Sequence, residues 1–485
     1  MKERKAHYAL KMLDAYELNA FRKFLSSPFF NQKESMITYL DILVEAMKKE
    51  NGIHELVEQN VWNLIFDQPF DEVKFRKLNS DFNTLIEKFL IQKEFEEDPH
   101  IANYYKINAF KKRNATKLYD SLINDIDVSR RTDPNRNAQY FLNQYNIEKG
   151  IFGLIPEDER KMDFKSGNYG LDIDKISENL DIYFISEKLK YYTEILSWNQ
   201  LYHTNLNIRG IEIVMKLANN PLFKEIPVIA VFSKIIQIKL EPENEEHYFE
   251  LKNLVSQCLH LFPKSEGKEI IDAMLNYCIN KVNKGISKFE SESLEIYKTA
   301  LDTESILVNG YLETSDYRNI AVMGLRVGEL DWVENFIHAF AAKLDEKFRN
   351  NAFYFSLARL ETYKGDFSKV IEYVSNIVFD DVWYNLNARS LLIAAYYELG
   401  ETTVLDSLLQ SFRVYVTREK SLTKTRKTHY LNLISFTRNL LNIDLNDRSK
   451  LEKLREKVVS TQGVVNKTWI LEKISALEQK PKYRN

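Results

Sequence analysis

Tyr354-Phe355-Ser356-Leu357-Ala358-Arg359-Leu360-Glu361-Thr362-Tyr363-Lys364-Gly365-Asp366-Phe367-Ser368-Lys369-Val370 reads as a helix, its stop and the opening of a second helix. Ala358 is small enough to let two helices approach, Gly365 ends the first because a left-handed backbone costs it nothing, and Val370 closes the pair. The arrangement recurs at Gly328-Glu329-Leu330 and at Gly400-Glu401-Thr402, so the three glycines are spaced by 37 and 35 residues. The register reaches beyond the glycine. Tyr317 and Tyr354 lie eleven residues before it, Ala321 and Ala358 seven before, and Val333, Val370 and Leu405 five after. The third segment departs in carrying Arg389 at the tyrosine position, and no proline closes the second after Asp380-Asp381.

A period near 34 residues is the mark of stacked helix pairs, and these segments resemble tetratricopeptide repeats. The resemblance implies an all-α fold, an α-solenoid of antiparallel helix pairs whose first helices line a concave face. On that face it places Arg318, Arg326, Arg359, Tyr363 and Tyr397, a set suited to an acidic or C-terminal carboxylate ligand.

Composition agrees with helix throughout. The 485 residues include only 14 glycines and 10 prolines, about 5% together where an average chain carries roughly 12%. Alternating apolar and polar runs bounded by turn residues are nearly absent. Aromatic residues make up 13%, with 27 Tyr and 29 Phe, which suits helices knitted together by large side chains. A net charge of −3 from 67 basic and 70 acidic residues gives no global pull toward nucleic acid or membrane. The start, Met1-Lys2-Glu3-Arg4-Lys5, is basic, but Lys11 and Asp14 interrupt it before a signal-peptide core develops. Apolar runs such as Ile226 to Phe232 and Leu391 to Tyr397 fall far short of the roughly 18 residues a membrane span needs. Two cysteines, Cys258 and Cys278, build no disulfide framework and fit a reducing cytoplasm.

The chain reads as four regions: an N-terminal helical region 1–97, a helical-hairpin array 98–300, the repeats 301–416 and a C-terminal helical cap 417–485. Helices are predicted over 14–26, ended by Ser27-Pro28, and over 34–47. Another covers 71–92, with the stripe Phe75, Leu78, Phe82, Leu85 and Phe89. Residues 102–127 and 136–153 read as two more, the second opened by Asp133-Pro134. The pattern collapses between Leu154 and Asp172, where Pro156, Gly167 and Gly170 mark a loop open to proteolysis. A long helix over 173–202 turns Ile176, Leu180, Tyr183, Phe184, Leu189, Tyr192, Ile195 and Leu196 toward its neighbours. Four helices follow between Ile208 and Gly285, broken at Asn220-Pro221, at the acidic run Glu241 to Glu246 and at Phe262-Pro263.

Five stretches carry a wider resemblance: Lys23-Phe24-Leu25-Ser26-Ser27-Pro28-Phe29-Phe30-Asn31, Asn276-Tyr277-Cys278-Ile279, Asp380-Asp381-Val382-Trp383-Tyr384-Asn385-Leu386, Leu408-Leu409-Gln410-Ser411-Phe412 and Lys467-Thr468-Trp469-Ile470-Leu471-Glu472-Lys473. Through them the whole chain is similar to an uncharacterised bacterial family of large all-helical proteins. That resemblance implies the helical fold and a bacterial cytoplasm, and it implies no activity.

No stretch has the residues that chemistry needs. Cys258 and Cys278 sit twenty apart with His260 nearby, a spacing that suits two buried thiols better than a metal site. The eight histidines form no H-E-x-x-H pair, phosphate-binding glycine loops are missing, and no cofactor is implied. Gly324 and Gly328 fit close helix packing and a helix end. Asp380-Asp381 before Val382-Trp383-Tyr384 reads as a helix cap with a packed tryptophan, with a ligand site as the second reading. Arg418, Lys420, Lys424, Arg426 and Lys427, followed by His429 and Tyr430, read as a solvated linker or as a phosphate-contacting patch. Residues 58–92 read as a plain hairpin or as a helix-turn-helix. In the latter, Trp62 and Phe66 lie on the first helix, Pro69 in the turn, and Lys74, Arg76, Lys77 and Asn79 on a reading helix diluted by Glu72, Asp81 and Glu87.

The functional expectation is a non-enzymatic scaffold binding a protein or peptide partner. Its alternative is a nucleic-acid-binding regulator with an N-terminal reading helix and a helical-repeat sensor body.

Overall fold

With few breakers in the chain, backbone N–H and C=O groups find their partners within helices. The computed structural model describes residues 4–49, 52–154, 173–379, 381–443 and 448–479. Among them are 23 α-helices and no strand, only an isolated bridge between Val308 and Tyr311. None of these helices is long and apolar enough to cross a membrane. Met1 to Glu3, the predicted loop over 155–172 with Pro156, Gly167 and Gly170, and Asp380 lie outside the described residues. The chain divides into two compact units, Met1–Glu187 and Lys188–Asn485.

The first unit holds α1 (Lys5–Lys11), α2 (Ala15–Ser26), α3 (Ser35–Met47), α4 (Glu58–Ile65), α5 (Glu72–Glu97), α6 (Pro99–Arg113), α7 (Tyr119–Thr132) and α8 (Ala138–Leu154). The predicted stripe of α5, Phe75, Leu78, Phe82, Leu85 and Phe89, is buried in full. Phe21 of α2 meets Phe82 edge-on with ring centres 5.7 Å apart. A directed hydrogen-bond chain crosses this core. The Arg4 amide donates to His7 Nδ1 (3.2 Å), which leaves His7 Nε2–H to donate to the Tyr39 hydroxyl (3.0 Å). Tyr39 in turn donates to Asn79 Oδ1 (2.8 Å), and Asn79 Nδ2 donates to the Phe75 carbonyl (2.9 Å).

Two expectations for this unit fail. The single helix over 102–127 is broken, because Asn114 takes a left-handed conformation (φ 51°) that ends α6. Asparagine tolerates that conformation, so no glycine or proline announces the stop. Asp133-Pro134 does not open α8 either: Asp133 follows the last residue of α7 and accepts from His100 Nε2 at 2.9 Å. Asn137 opens α8 instead, its Oδ1 taking the Tyr140 amide at 3.1 Å.

The second unit begins within α9 (Ile173–Tyr202) and continues with α10 (Ile211–Ala218), α11 (Pro227–Leu240), α12 (Glu246–Cys258), α13 (Lys264–Asn283) and α14 (Lys288–Asp302). Four helices do lie between Ile208 and Gly285, as the breaks predict. The face of α9 is shifted from the expected one. Ile182, Ile185, Ser186, Leu189 and Thr193 are its buried positions, whereas Leu180 and Phe184 are exposed.

Then come α15 (Thr314–Val327), α16 (Leu330–Phe340), α17 (Glu346–Lys364), α18 (Phe367–Ser375), α19 (Val382–Glu398), α20 (Thr402–Arg418), α21 (Lys424–Leu441), α22 (Arg448–Ser460) and α23 (Lys467–Glu478). Each of α15 to α20 packs on its neighbours in sequence, and α15, α17 and α19 also touch in succession. Gly328, Gly365 and Gly400 all have positive φ, at 89°, 81° and 73°, just past the ends of α15, α17 and α19. Tyr317, Ala321, Ala358, Val333, Val370 and Leu405 are buried, and the Tyr317 hydroxyl donates to the Ile337 carbonyl at 2.7 Å. Tyr354, which the register pairs with Tyr317, is only half-buried, so the correspondence is not complete. Gly324 marks a close approach of α15 and α16, since a β-carbon there would lie 2.4 Å from Val333 Cγ2.

These two glycines are required for different reasons and respond differently to substitution. Nothing lies within 4 Å of a β-carbon added at Gly365, so Gly365→Val costs only backbone strain, about 1–2 kcal/mol. Gly324→Ala forces α15 and α16 apart and costs about 1–3 kcal/mol by overpacking. Equilibrium denaturation reads both; unchanged midpoints would contradict the register.

Candidate partner-binding site

Among the five residues that the repeat register places on one face, Arg326, Arg359 and Tyr363 come together. Arg326 sits in the last turn of α15 and Arg359 and Tyr363 lie one turn apart on α17. Arg359 is half-buried, and its Nε is shut away from solvent without a hydrogen-bond partner. Burial is the main reason its pKa falls below the ordinary guanidinium value; the Tyr363 hydroxyl, which accepts a hydrogen bond from it, works against the fall, and the like charge of Arg326 adds to it. Arg326 reaches only a distant acceptor, Glu290 Oε1 of α14 at 3.6 Å, with the arginine side chain 45% exposed. Glu361, two residues beyond Arg359, is committed to Lys364 and Lys369 at 3.6 and 4.0 Å.

The cluster is thus two arginines with less than one carboxylate between them. Arginine's planar donors match carboxylate oxygens, and Arg359 has none paired with it among the described residues. The simplest structural account of such arginines, pairing with a glutamate of their own helix, does not hold for Arg318, Arg326 or Arg359 among the described residues.

Arg318 belongs elsewhere. Eight residues separate it from Arg326, two helical turns or about 12 Å. Its guanidinium lies 3.9 Å from the centre of the Trp383 ring and 5.3 Å from that of Tyr384, a cation–π contact. Trp383 is held edge-on against Phe355 (4.9 Å), and Asp381 caps α19 by accepting from the Trp383 and Tyr384 amides at 2.7 and 3.1 Å. The capping role read from the sequence is present for Asp381. Arg318 flanks a cleft of about 640 Å³ with Tyr311, Phe348 and Lys347. Tyr397 lies edge-on to Trp469 (5.4 Å) in the C-terminal core, and burial raises its pKa. Neither placement was legible, because both depend on aromatic partners more than sixty residues downstream.

The nucleic-acid candidates lose members to the core. Asn79 is buried in the hydrogen-bond chain from His7, while Lys74 and Arg76 pair with Asp71 and Glu72 on the exposed side of α5. In the basic stretch, Lys424, Arg426 and Lys427 lie in the first turn of α21 rather than in a linker, and Tyr430 is buried against Phe412. No group of three or more His, Cys, Asp or Glu side chains is placed to hold a metal among the described residues.

Both cysteines are buried, and burial pushes each thiol up to about 11. At pH 8 the thiolate fraction is then on the order of 0.1%. Ellman's reagent should leave the folded chain unlabelled and titrate both thiols on denaturation; rapid reaction of the native chain would contradict this burial. Comparisons with protein-family models, curated proteins and solved structures give no match to this chain.

Proposed function

We propose that the chain is a non-enzymatic helical-repeat scaffold, an α-solenoid of tetratricopeptide-like helix pairs, that holds an acidic segment of a protein partner on Arg326, Arg359 and Tyr363. The solenoid reading is supported by the matched glycine turns and by the succession of α15, α17 and α19 along one side of the repeats. The binding reading is carried by one observation, the Arg359 guanidinium half-buried beside Arg326 without a carboxylate of its own. A ligand carboxylate would supply the missing charge and acceptors, and the exposed edge of Tyr363 gives it an apolar and hydroxyl-bearing neighbour. Nucleic acid is the weaker alternative, since the Asn79 side chain needed on a reading helix is in the core.

Fluorescence anisotropy with a labelled glutamate-rich peptide tests the proposal. The parent chain should bind it more tightly than a lysine-rich peptide of equal length. Arg359→Met combined with Arg326→Met should weaken binding tenfold or more, a loss of about 1.4 kcal/mol or greater, with helicity retained. Arg318→Met, two turns away, should bind as the parent does. Equal binding by the double variant would remove this cluster as the recognition site.

A further inference from the structure

A second concentration of cationic groups lies far along the chain from the arginines, where α9, α11 and α13 meet. A surface cleft of about 80 Å³ opens there, lined by Gln200, Lys239, Asn276, Asn280, Lys281 and Lys284 among others. That volume is several times the roughly 10–15 Å³ that one water requires, so the cleft has room for a small polyatomic ion.

The three lysines are compensated unequally. Lys281 is 3% exposed and pairs with Glu243 at 3.2 Å and Glu245 at 3.9 Å. Lys284 takes the other oxygen of Glu243 at 2.5 Å, and Lys288 takes Glu245. The acidic run between α11 and α12 therefore neutralises α13 and its successor. Lys239 is left out of this arrangement: its ammonium donates to Ser197 Oγ at 2.8 Å and forms no ion pair among the described residues. An ammonium has three donors, so two of Lys239's are unspent. Burial lowers its pKa, and Glu194 only partly offsets that. The carboxamides of Gln200, Asn276 and Asn280 also make no hydrogen bond within the described protein.

The incompletely compensated Lys239 ammonium and the exposed carboxamides of Gln200, Asn276 and Asn280 thus share one small cleft with two glutamate-paired lysines. Since the other two lysines are already paired with glutamates, Lys239 is the charge that an anion entering the cleft would meet. We infer that this cleft binds a small oxyanion of the phosphate or sulfate type, with Lys239 as its principal charge partner and Gln200, Asn276 and Asn280 as hydrogen-bond donors. The ion is either free or the terminal group of a small phosphate monoester. A ligand oxygen also competes with Glu243 for Lys284 at the rim, so occupancy loosens the hold of the acidic run on α13.

Trace acetylation of the full-length chain, read by mass spectrometry, tests this without a variant. Saturating sulfate or inorganic phosphate should slow modification of Lys239 at least fivefold relative to chloride at equal ionic strength. The exposed Lys216 should be unaffected. Free phosphoserine as a third probe separates the sources: protection by phosphate alone indicates the free ion, and protection by both indicates a monoester end group. In calorimetry, Lys239→Gln should weaken sulfate binding tenfold or more, and Lys239→Arg should restore it in part. Equal labelling of Lys239 in sulfate and chloride overturns the inference, as does a Lys239→Gln chain that binds sulfate like the parent. Should Lys239→Gln fail to fold, the labelling of the parent chain decides alone.

Discussion

With no strand among the described residues, a helix there can bury its apolar face only on another helix, and the turn between them decides which face that is. From α15 to α20 this turn is set by a single backbone state, the left-handed residue at Gly328, Gly365 and Gly400. It reverses the chain within two or three residues and delivers Val333, Val370 or Leu405 onto the helix just ended. The small groups Ala321, Gly324 and Ala358 then matter because they leave room for that return. Without the turn, the same side chains would have no fixed partner. The placement of Arg326 two residues before one such glycine and of Arg359 six before the next follows from it.

Given this frame, the fate of each cation depends on what its neighbouring helix supplies. Lys281 is more buried than Arg359, yet two glutamates from the preceding loop meet it. Arg318 has no carboxylate but is covered by the Trp383 ring. Arg359 has neither. Removing a charge from water without compensation is unfavourable, and groups kept in that state mark places where something else completes the site. The same reasoning picks out Lys239, which donates to a hydroxyl and has only the charge of Glu194 to offset its burial.

The sequence made the all-helical class plain, because the near absence of breakers and the three-to-four spacing at Phe75, Leu78, Phe82, Leu85 and Phe89 admit little else. It made the turns at Gly328, Gly365 and Gly400 plain through glycine, since few other residues take that conformation. Where asparagine did the same work, at Asn114, the break was invisible, and where proline followed a helix rather than opening one, at Pro134, the reading went to the wrong side. Side-chain partners were far less legible. Nothing local says that Arg318 lies on Trp383, that Asn79 turns inward to Tyr39, or that the acidic run from Glu241 to Glu246 exists to meet Lys281, Lys284 and Lys288. Those pairings cross from one helix to another and are fixed only when the helices pack.

The central claim is that Arg326 and Arg359 repel one another across a face with too little negative charge. A double-mutant cycle of Arg326→Met and Arg359→Met, read by equilibrium denaturation at low and high salt, measures this directly. Methionine keeps most of the aliphatic stem, so the cycle isolates the charge. The account predicts that Arg359→Met leaves the chain as stable or more so. It also predicts a repulsive coupling on the order of 0.5 kcal/mol or more that shrinks with salt. A loss of about 3 kcal/mol from Arg359→Met alone, as expected when one partner of a buried ion pair is removed, would contradict it.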